Sequence, residues 1–417
     1  MEYITDLHIH SKYSRACSGK ITLEGIDASC RKKGVHIIST GDFTFPAWFS
    51  EIEEKLEEIG ESGLYKLKKA EDDKVRFILS TELALIYKDK GRARRLHLMV
   101  NAPDVGSVKR LNEYLGKKYN ITSDGRPILG MTAPELVKLC RDIHPDFFVY
   151  PAHIWTPWFA VFGSKSGFNS MEECFHDQVE YIHAYETGLS SDPEMNWRLS
   201  ALDNYTLLSS SDAHSLPNIG REATVFDLEE ASFKEIYEAI KNKNAGKVKY
   251  TIEFYPEEGM YHYDGHRNCG IRFTPEETKK NKGICPVCKK PLTVGVMYRV
   301  DELADRQLGY RPEGAPSYIK LTGLAKIIAE AFGVKSANSQ KVLTEYENLI
   351  KNVGDEISVL KDIDPERLKE AAHPAIAEGI KRMRDMDLTV EPGFDGQYGH
   401  VKIFDPAELR GEQKKLI

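Results

Sequence analysis

The sequence predicts an α/β chain: a barrel of strands and crossover helices, then a small zinc-binding module, then a mainly helical C-terminal region. Three observations say so. Residues 1–235 alternate short β-branched runs with longer amphipathic segments, the pattern of parallel strands joined by helices. Residues 236–299 hold a connecting segment and then, from Tyr255 to Arg299, a stretch rich in Gly, Pro, Lys, Cys and His and too poor in aliphatic residues for an ordinary core. Residues 300–417 return to helical periodicity and close on a Gly-rich turn and a strand.

In order, the first region offers strands at residues 3–9, 36–40, 75–80, 96–101, 147–151, 181–185 and 205–210, with helical patterns at 22–33, 50–59, 132–143 and 195–202. Seven such strands can close into a barrel, and parallel barrels build their active sites at the C-terminal strand ends. Residues 233–244 read as one more helix and 248–254 as a strand. Helical patterns follow at 300–305, 321–332, 339–351, 357–360 and 365–384, and the last strand at 400–404.

Composition narrows the function class. Of the 417 residues 41% are hydrophobic, enough for a real core, and the net charge of -7 argues against a generally basic nucleic-acid coat while leaving room for a local basic cleft. The N-terminus has no charged segment followed by an apolar one, and no run approaches the roughly 18 apolar residues of a membrane span. The expectation is a cytoplasmic protein with no membrane partner. The 7 cysteines, odd in number and unevenly spaced, are no disulfide framework.

Polar residues fall where a barrel places its chemistry. Asp6-Leu7-His8-Ile9-His10 ends the first strand, and alternation along a strand turns both imidazoles to one face. Asp42 follows the second strand, Glu82 the third, and His97 lies in the fourth. His153 follows the fifth, Glu186 the sixth, and Asp212 and His214 the seventh. Two histidines alone are as readily an exposed strand pair; so many acids and histidines at successive strand ends are not. Imidazole and carboxylate hold the ions that hydrolases use to activate water and neutralise charge on the attacked group. His8, His10, Glu82 and Asp212 are expected to form one site and to carry catalysis. Glu82 would bridge to a second site completed by His97 and His153. Asp42 and His214 are left for a third ion or for holding ligands from behind.

His266-Arg267-Asn268-Cys269 and Cys285-Pro286-Val287-Cys288 form an HxxC…CxxC arrangement, two close pairs separated by about 15 residues, as in structural zinc sites. His266, Cys269, Cys285 and Cys288 are the expected ligands, with His262 and Asp264 competing with His266 for the fourth position. Other segments offer contact surfaces. The basic run Gly91-Arg92-Ala93-Arg94-Arg95 would enter its strand from the far end of a parallel barrel, unless it turns a local antiparallel hairpin. Residues 154–165 carry Trp155, Trp158, Phe159 and Phe162 beside His153, suited to stacking on bases or wedging a duplex, or to plugging a domain junction. Lys12, Arg15 and Lys20 are placed to meet phosphates, or simply lie in a solvated loop.

On its motifs, residues 1 to about 235 resemble the polymerase-and-histidinol-phosphatase (PHP) superfamily: His8 and His10 as HxH, Glu82 followed by a later histidine, Asp212 and His214 as DxH. That resemblance implies a distorted (β/α)7 barrel hydrolysing phosphoesters with two or three divalent ions, such as zinc, magnesium or manganese. The chain departs from it where Phe43 replaces a histidine and where Ser14, Arg15 and Ala16 fill a stretch that often holds another. Two ions are therefore expected, any third resting on Asp42 and His214.

Most of the chain further resembles the endonuclease Q family of DNA-repair nucleases. The resemblance rests on Thr5-Asp6-Leu7-His8-Ile9-His10-Ser11, Ser39-Thr40-Gly41-Asp42-Phe43-Thr44 and Tyr150-Pro151-Ala152-His153. It rests also on Asp264-Gly265-His266-Arg267 with its cysteines, and on Gly393-Phe394-Asp395-Gly396-Gln397-Tyr398-Gly399. It implies nicking of DNA 5′ to deaminated bases (uracil, hypoxanthine, xanthine) or abasic sites, with the base flipped out of the duplex. The alternative is a PHP-type small-molecule phosphoesterase, which would have no use for a zinc module and a helical tail.

Overall fold

The structure, a computed structural model, describes residues 1–243 and 246–405. Asn244, at the end of the helix expected over 233–244, and residues 406–417 of the C-terminal region lie outside the described residues.

Eight strands build the ring: β1 (Glu2–Asp6), β2 (Ile37–Ser39), β3 (Arg76–Ile78), β4 (Ser80–Asp89), β5 (Arg92–Asn101), β6 (Phe148–Pro151), β7 (Ala184–Glu186) and β8 (Thr206–Leu208). Strands β1, β2 and β3 pair in parallel, as do β7 and β8. Strand β3 runs on into β4, so the ring has seven positions. Its seams close through single backbone bonds: Ile154 N–H donates to Glu186 O at 3.1 Å, and His10 N–H to Ala213 O at 3.0 Å.

One strand departs from the parallel expectation. β4 and β5 form an antiparallel hairpin, and β5 pairs antiparallel with β6. The hairpin turns on Lys90 (φ 46°) and Gly91 (φ 79°), two residues of positive φ in a row, the turn that suits the right-handed twist of paired strands. Reversal brings His97 back to the rim that carries Glu82. Glu82 lies opposite Met99 and Ala84 opposite His97, so Glu82 and His97 share a face of the hairpin. Arg94 is buried with its guanidinium 3.9 Å from the Phe168 ring centroid, while Arg92 and Arg95 stay exposed.

Beyond the ring, β9 (Ala223–Asp227) pairs antiparallel with β1 and β10 (Val248–Glu253) antiparallel with β9. A strand from the C-terminal region, β11 (Ser317–Lys320), then adds in parallel to β10. The tail is therefore not purely helical; it completes one edge of the main sheet.

Local chemistry explains the element ends. Helix Leu23–Lys33 starts where the Thr22 side chain accepts from Gly25 N–H and stops at Gly34 in a left-handed conformation, φ 85°. Helix Ala133–Ile143 opens on a full capping box between Thr132 and Glu135. The helix expected over 50–59 lies at Pro46–Lys55, set earlier by a proline in its first turn, and Leu56–Glu58 leave it as a short strand. Residues 181–185 begin as the end of a 3-10 turn, His176–Tyr181, which delays β7. Residues 365–384 split into Pro365–Ala371 and Pro374–Arg384, because Pro374 has no N–H to continue a helix.

A single hydrophobic core runs from Ile9, Phe43 and Trp48 under the ring to Leu324, Ile328, Ile380 and Phe404 of the tail. A second cluster, with Leu7, Met99, Phe226 and Ile240, lies under β9 and helix Phe233–Lys241. Barrel and tail thus share apolar packing. Among the described residues no helix is long and apolar enough to cross a membrane.

Candidate metal centre

At the C-terminal rim of the ring, His8, His10, Glu82 and Asp212 bring one ligand atom each within 4.8 Å of one another. His8 Nε2 lies 3.6 Å from Glu82 Oε2 and 3.5 Å from Asp212 Oδ1; His10 Nε2 lies 3.3 Å and 3.1 Å from the same two oxygens. Glu82 turns its other oxygen to a second group. Oε1 is 2.7 Å from His97 Nδ1 and 3.1 Å from His153 Nε2, and these three residues again converge within 4.8 Å. Glu82 therefore stands between two ligand sets.

The donor chemistry fits divalent ions. Two carboxylates and four imidazoles face one another, and the fully buried His8 Nε2 has no hydrogen-bond partner among the described residues, an atom that a metal ion would satisfy. The remaining imidazole nitrogens are held from behind. His8 Nδ1 meets Glu186 Oε2 at 3.0 Å, and His10 Nδ1 meets Asp42 Oδ1 at 3.1 Å. Glu186 also accepts from His153 N–H at 2.9 Å, and Asp42 Oδ2 from Ser11 N–H at 2.7 Å and the Ser14 hydroxyl at 2.8 Å. Such carboxylate–histidine pairs fix ring orientation and tautomer at metal sites. Asp42 (φ 48°), His153 (φ 29°) and Asp212 (φ 45°) all sit in the left-handed region that non-glycine residues avoid, a local strain that the surrounding bonds must hold in place.

The electrostatics of the site set burial against its charged neighbours. Burial works against charge on His8, yet Glu186, Glu82 and Asp212 overcome it and hold the imidazole pKa well above its ordinary value. Burial likewise opposes charge on His10, and Asp42, Asp212 and Glu82 outweigh it. Burial would raise Glu82, but His97, Arg126 and His8 bring it well below the usual carboxylate range. Burial dominates at His97 and takes it down to about 4.

Neither Asp42 nor His214 joins either ligand group, and of the two roles expected of them Asp42 takes up the one behind a ligand, on His10. Asp42 is spent on His10 and the loop behind it. The His214 ring packs 4.5 Å from the His10 ring, with Nδ1 2.9 Å from Asp212 O. The candidate DNA contacts also divide. Trp155 is fully buried and donates to Asn196 Oδ1 at 2.8 Å, so it is a core residue and no surface for stacking. Phe159 packs its ring 4.5 Å from His97 and accepts His97 N–H at its carbonyl. Trp158 stays 42% exposed beside Tyr261. Lys12 is engaged with Glu51 at 2.7 Å, while Arg15 and Lys20 are exposed.

Sequence reasoning passed over Arg126. Its Nη1 donates to Glu82 Oε2 at 2.7 Å. It also passed over the rim cavity of about 730 Å³ that includes Trp158, Arg221, Met260, Tyr261, His262 and Tyr398 in its lining. Arg221 links that cavity to the backbone at Asp212, its Nε donating to Ser211 O at 2.9 Å and its Nη2 to Asp212 O at 3.4 Å. Nothing in a polar loop or a scattered aromatic set marks either feature before the chain is folded.

His266, Cys269, Cys285 and Cys288 form a third convergent group, with His266 Nδ1 3.5 Å from Cys288 Sγ. Two tight turns aim them. Asp264–His266 and Ile271–Phe273 form a hairpin around Cys269, and Cys285 N–H to Lys290 O at 2.8 Å closes the second knuckle. His262 is instead buried in the cavity wall, and Asp264 Oδ1 accepts from Gly295 N–H at 2.6 Å, so of the three candidates it is His266 that converges with the cysteines. The closing Gly-rich turn docks here: Asp395 accepts from Arg267 N–H at 2.7 Å and from the Thr293 hydroxyl at 2.6 Å.

Comparison with known proteins agrees with this geometry. Residues 197–245 match a family described as PHP-associated, and residues 323–387 match the MJ0043 C-terminal domain. The uncharacterized protein MJ0043 of Methanocaldococcus jannaschii is 32% identical over 269 residues, 63% of this chain but 33% of that protein, so the chain spans about a third of that relative's length. The uncharacterized protein YqxK of Bacillus subtilis is 28% identical over 413 residues, 95% of this chain and 98% of that one. The crystal structure of the lesion-specific endonuclease PfuEndoQ of Pyrococcus furiosus aligns with a TM-score of 0.85 at 30% identity, covering 100% of this chain and 99% of that one. Endonuclease Q in complex with a 27-mer duplex substrate carrying an abasic lesion at its active site aligns with a TM-score of 0.84 at 30% identity, over 98% of each chain. With a counterpart of this similarity over its whole length, the chain belongs to the endonuclease Q family of the PHP superfamily.

Proposed function

We propose that this chain is a metal-dependent endonuclease that nicks DNA 5′ to deaminated bases (uracil, hypoxanthine or xanthine) or abasic sites. The observation that carries the reading is Glu82, shared by two ligand groups. Two divalent ions of the zinc, magnesium or manganese kind would sit on His8, His10, Glu82 and Asp212 and on Glu82, His97 and His153. A zinc ion would sit on His266, Cys269, Cys285 and Cys288. Bound there, the barrel ions supply Lewis-acid stabilisation of the phosphate and lower the pKa of water.

The chain's own residues do the rest. Glu82 sets the spacing of the two groups, and Glu186 and Asp42 keep His8 and His10 turned towards it. The cavity takes the displaced nucleotide, whose base can stack on Tyr261 or Trp158; about 300–1,000 Å³ is the usual size of a small-ligand site, and base-acting enzymes read an extruded base in such a pocket. Lesion bases that pair poorly are extruded at least cost, which favours damage over normal pairs. Residues 1–235 hold the chemistry, and the module at 236–299 with the region at 300–417 frames the DNA.

The test is end-labelled duplexes carrying uracil, hypoxanthine, an abasic site or only normal bases, incubated with the protein and Mg²⁺, Mn²⁺ or Zn²⁺. The expected result is one nick 5′ to each lesion and none in the control, with Glu82→Ala abolishing cleavage while still binding DNA. No nick at any lesion would overturn the reading. Nicks at every sequence would remove lesion recognition, and turnover of p-nitrophenyl phosphate without DNA cleavage would favour the small-molecule phosphoesterase.

A further inference from the structure

Arg126 reaches the centre of the ligand groups from a loop that the fold pins in place. Asp124 Oδ1 accepts from Arg126 N–H at 3.0 Å and from Arg15 N–H at 3.4 Å, and Gly125 N–H donates to Tyr13 O at 3.1 Å. Gly125 passes so close to the site that a Cβ there would collide with the Asp42 carboxylate and the Ser14 hydroxyl. The loop is thus locked against the residues that hold His10. It delivers a guanidinium whose side chain is 25% exposed, beside a carboxylate that is fully buried. Among the described residues that guanidinium makes one hydrogen bond, to Glu82, which leaves most of its donors free.

A charged group with spare donors at the mouth of an anionic site has a chemical use when the substrate is itself an anion. A guanidinium presents a planar fork that matches two phosphate oxygens. It is permanently protonated, so it donates hydrogen bonds and takes no part in proton transfer.

We propose that Arg126 is a catalytic arginine that binds a non-bridging oxygen of the scissile phosphate and stabilises the charge that gathers there during cleavage. The proposal rests on the DNA-nicking reading above. In that hydrolysis a water oxygen bonds to phosphorus and gives up one proton, the bond from phosphorus to the leaving sugar oxygen breaks, that oxygen takes a proton, and the water's second proton stays on the new phosphate monoester or passes to solvent. Arg126 gains and loses nothing covalent. Ions held by Glu82 would share the carboxylate that Arg126 contacts, and the remaining guanidinium donors are the ones available to a phosphate. The competing explanation is that Arg126 only positions Glu82 as a ligand.

Arg126→Ala and Arg126→Lys separate the two. The readouts are metal ions per chain by plasma mass spectrometry, metal affinity against a competing chelator, and the single-turnover rate on a uracil-containing duplex at saturating protein. The expected result for Arg126→Ala is a rate about 10²–10³ lower, the usual cost of losing one donor to a developing charge, with metal content and affinity undiminished. Guanidinium chloride at low, non-denaturing concentration should restore part of the rate, and Arg126→Lys should keep part of it as a point charge without the fork. A full rate in Arg126→Ala overturns the proposal, and so does a loss of metal in that variant, which would make Arg126 a positioning residue for Glu82. The wild-type rate on the same duplex is measured first: its absence would defeat the function itself, whereas wild-type cleavage with an unimpaired variant defeats only the role of Arg126.

Discussion

His8 and His10 are each gripped from behind by an acid, and this decides which nitrogen each offers to the site. Glu186 lies against Nδ1 of His8 and Asp42 against Nδ1 of His10, leaving both Nε2 atoms turned to Glu82 and Asp212. Glu186→Gln keeps the shape but replaces the charge with an amide that can equally well donate. It should weaken metal binding in the barrel by about 10–100-fold, the usual cost of losing a partner behind a ligand. Titration against a fluorescent chelator checks this; unchanged affinity would reduce Glu186 to a packing residue. The two histidines were legible because strand parity alone puts residues two apart on one face. The pairings of Glu186 and Asp42 were not, since which acid meets which nitrogen depends on contacts 178 and 32 residues apart along the chain. Trp155 and Trp158 make the same point: three residues apart in one aromatic loop, one is core and the other rim.

At the scale of elements, the clearest signals came from short-range geometry and the missed ones from pairing. HxxC and CxxC spacing is a local property of tight turns, so the convergence of His266, Cys269, Cys285 and Cys288 could be read from sequence. The reversal at Lys90-Gly91 could not be settled, because β4 and β5 are apolar enough for either a parallel or an antiparallel place and only the turn decides. β11 was missed because four residues of an edge strand carry too little pattern to compete with the helices around it. The module is expected to depend on an ion held by its four convergent residues. Its hairpin, Asp264–His266 with Ile271–Phe273, has one face capped by Phe394 of the closing turn, which sits against Gly265 where any Cβ would collide with it. Cys285→Ser should therefore release the zinc and loosen the closing turn together with the knuckles, because small zinc modules draw their folding energy from the ion. Hydrogen exchange should show lost protection over residues 264–295 and 392–399, with β1 and β2 still protected and the barrel ions retained. Protection lost only at the knuckles would show that the turn is held independently of the zinc.

At the scale of the molecule, barrel and tail are one body. The core passes without interruption from Ile9 to Phe404, and Leu321 N–H donates to Glu253 O at 3.0 Å where β11 joins β10. At that junction the fold buries two acids face to face. Ala223 pairs with Ile252 in the β9–β10 register, which sets Glu222 opposite Glu253, and both are fully buried. Burial raises the Glu253 pKa from 4.5 to about 8, with hydrogen bonds from Thr251, Ser209 and Thr187 opposing it and Asp192 adding to it. Glu222 is also held well above the ordinary carboxylate range, first by burial and then by Glu253. The folded chain therefore keeps a proton on Glu253 between about pH 4.5 and 8, where the unfolded chain has released it. More protons bound to the folded state means that stability falls as pH rises through this window, and the contribution is fully present only below it. Because the core is continuous, the loss should appear in global unfolding and not in a local opening. Glu253→Gln, which keeps a hydrogen-bonding side chain and cannot ionise, should flatten the dependence and be more stable than the wild type at pH 8 by on the order of 1–3 kcal/mol, one pKa unit being worth about 1.4 kcal/mol. Chemical denaturation of both proteins at pH 5 and pH 8 measures it: the two should differ little at pH 5 and diverge at pH 8. A parallel decline would mean that the proton on Glu253 does not govern the stability of this junction.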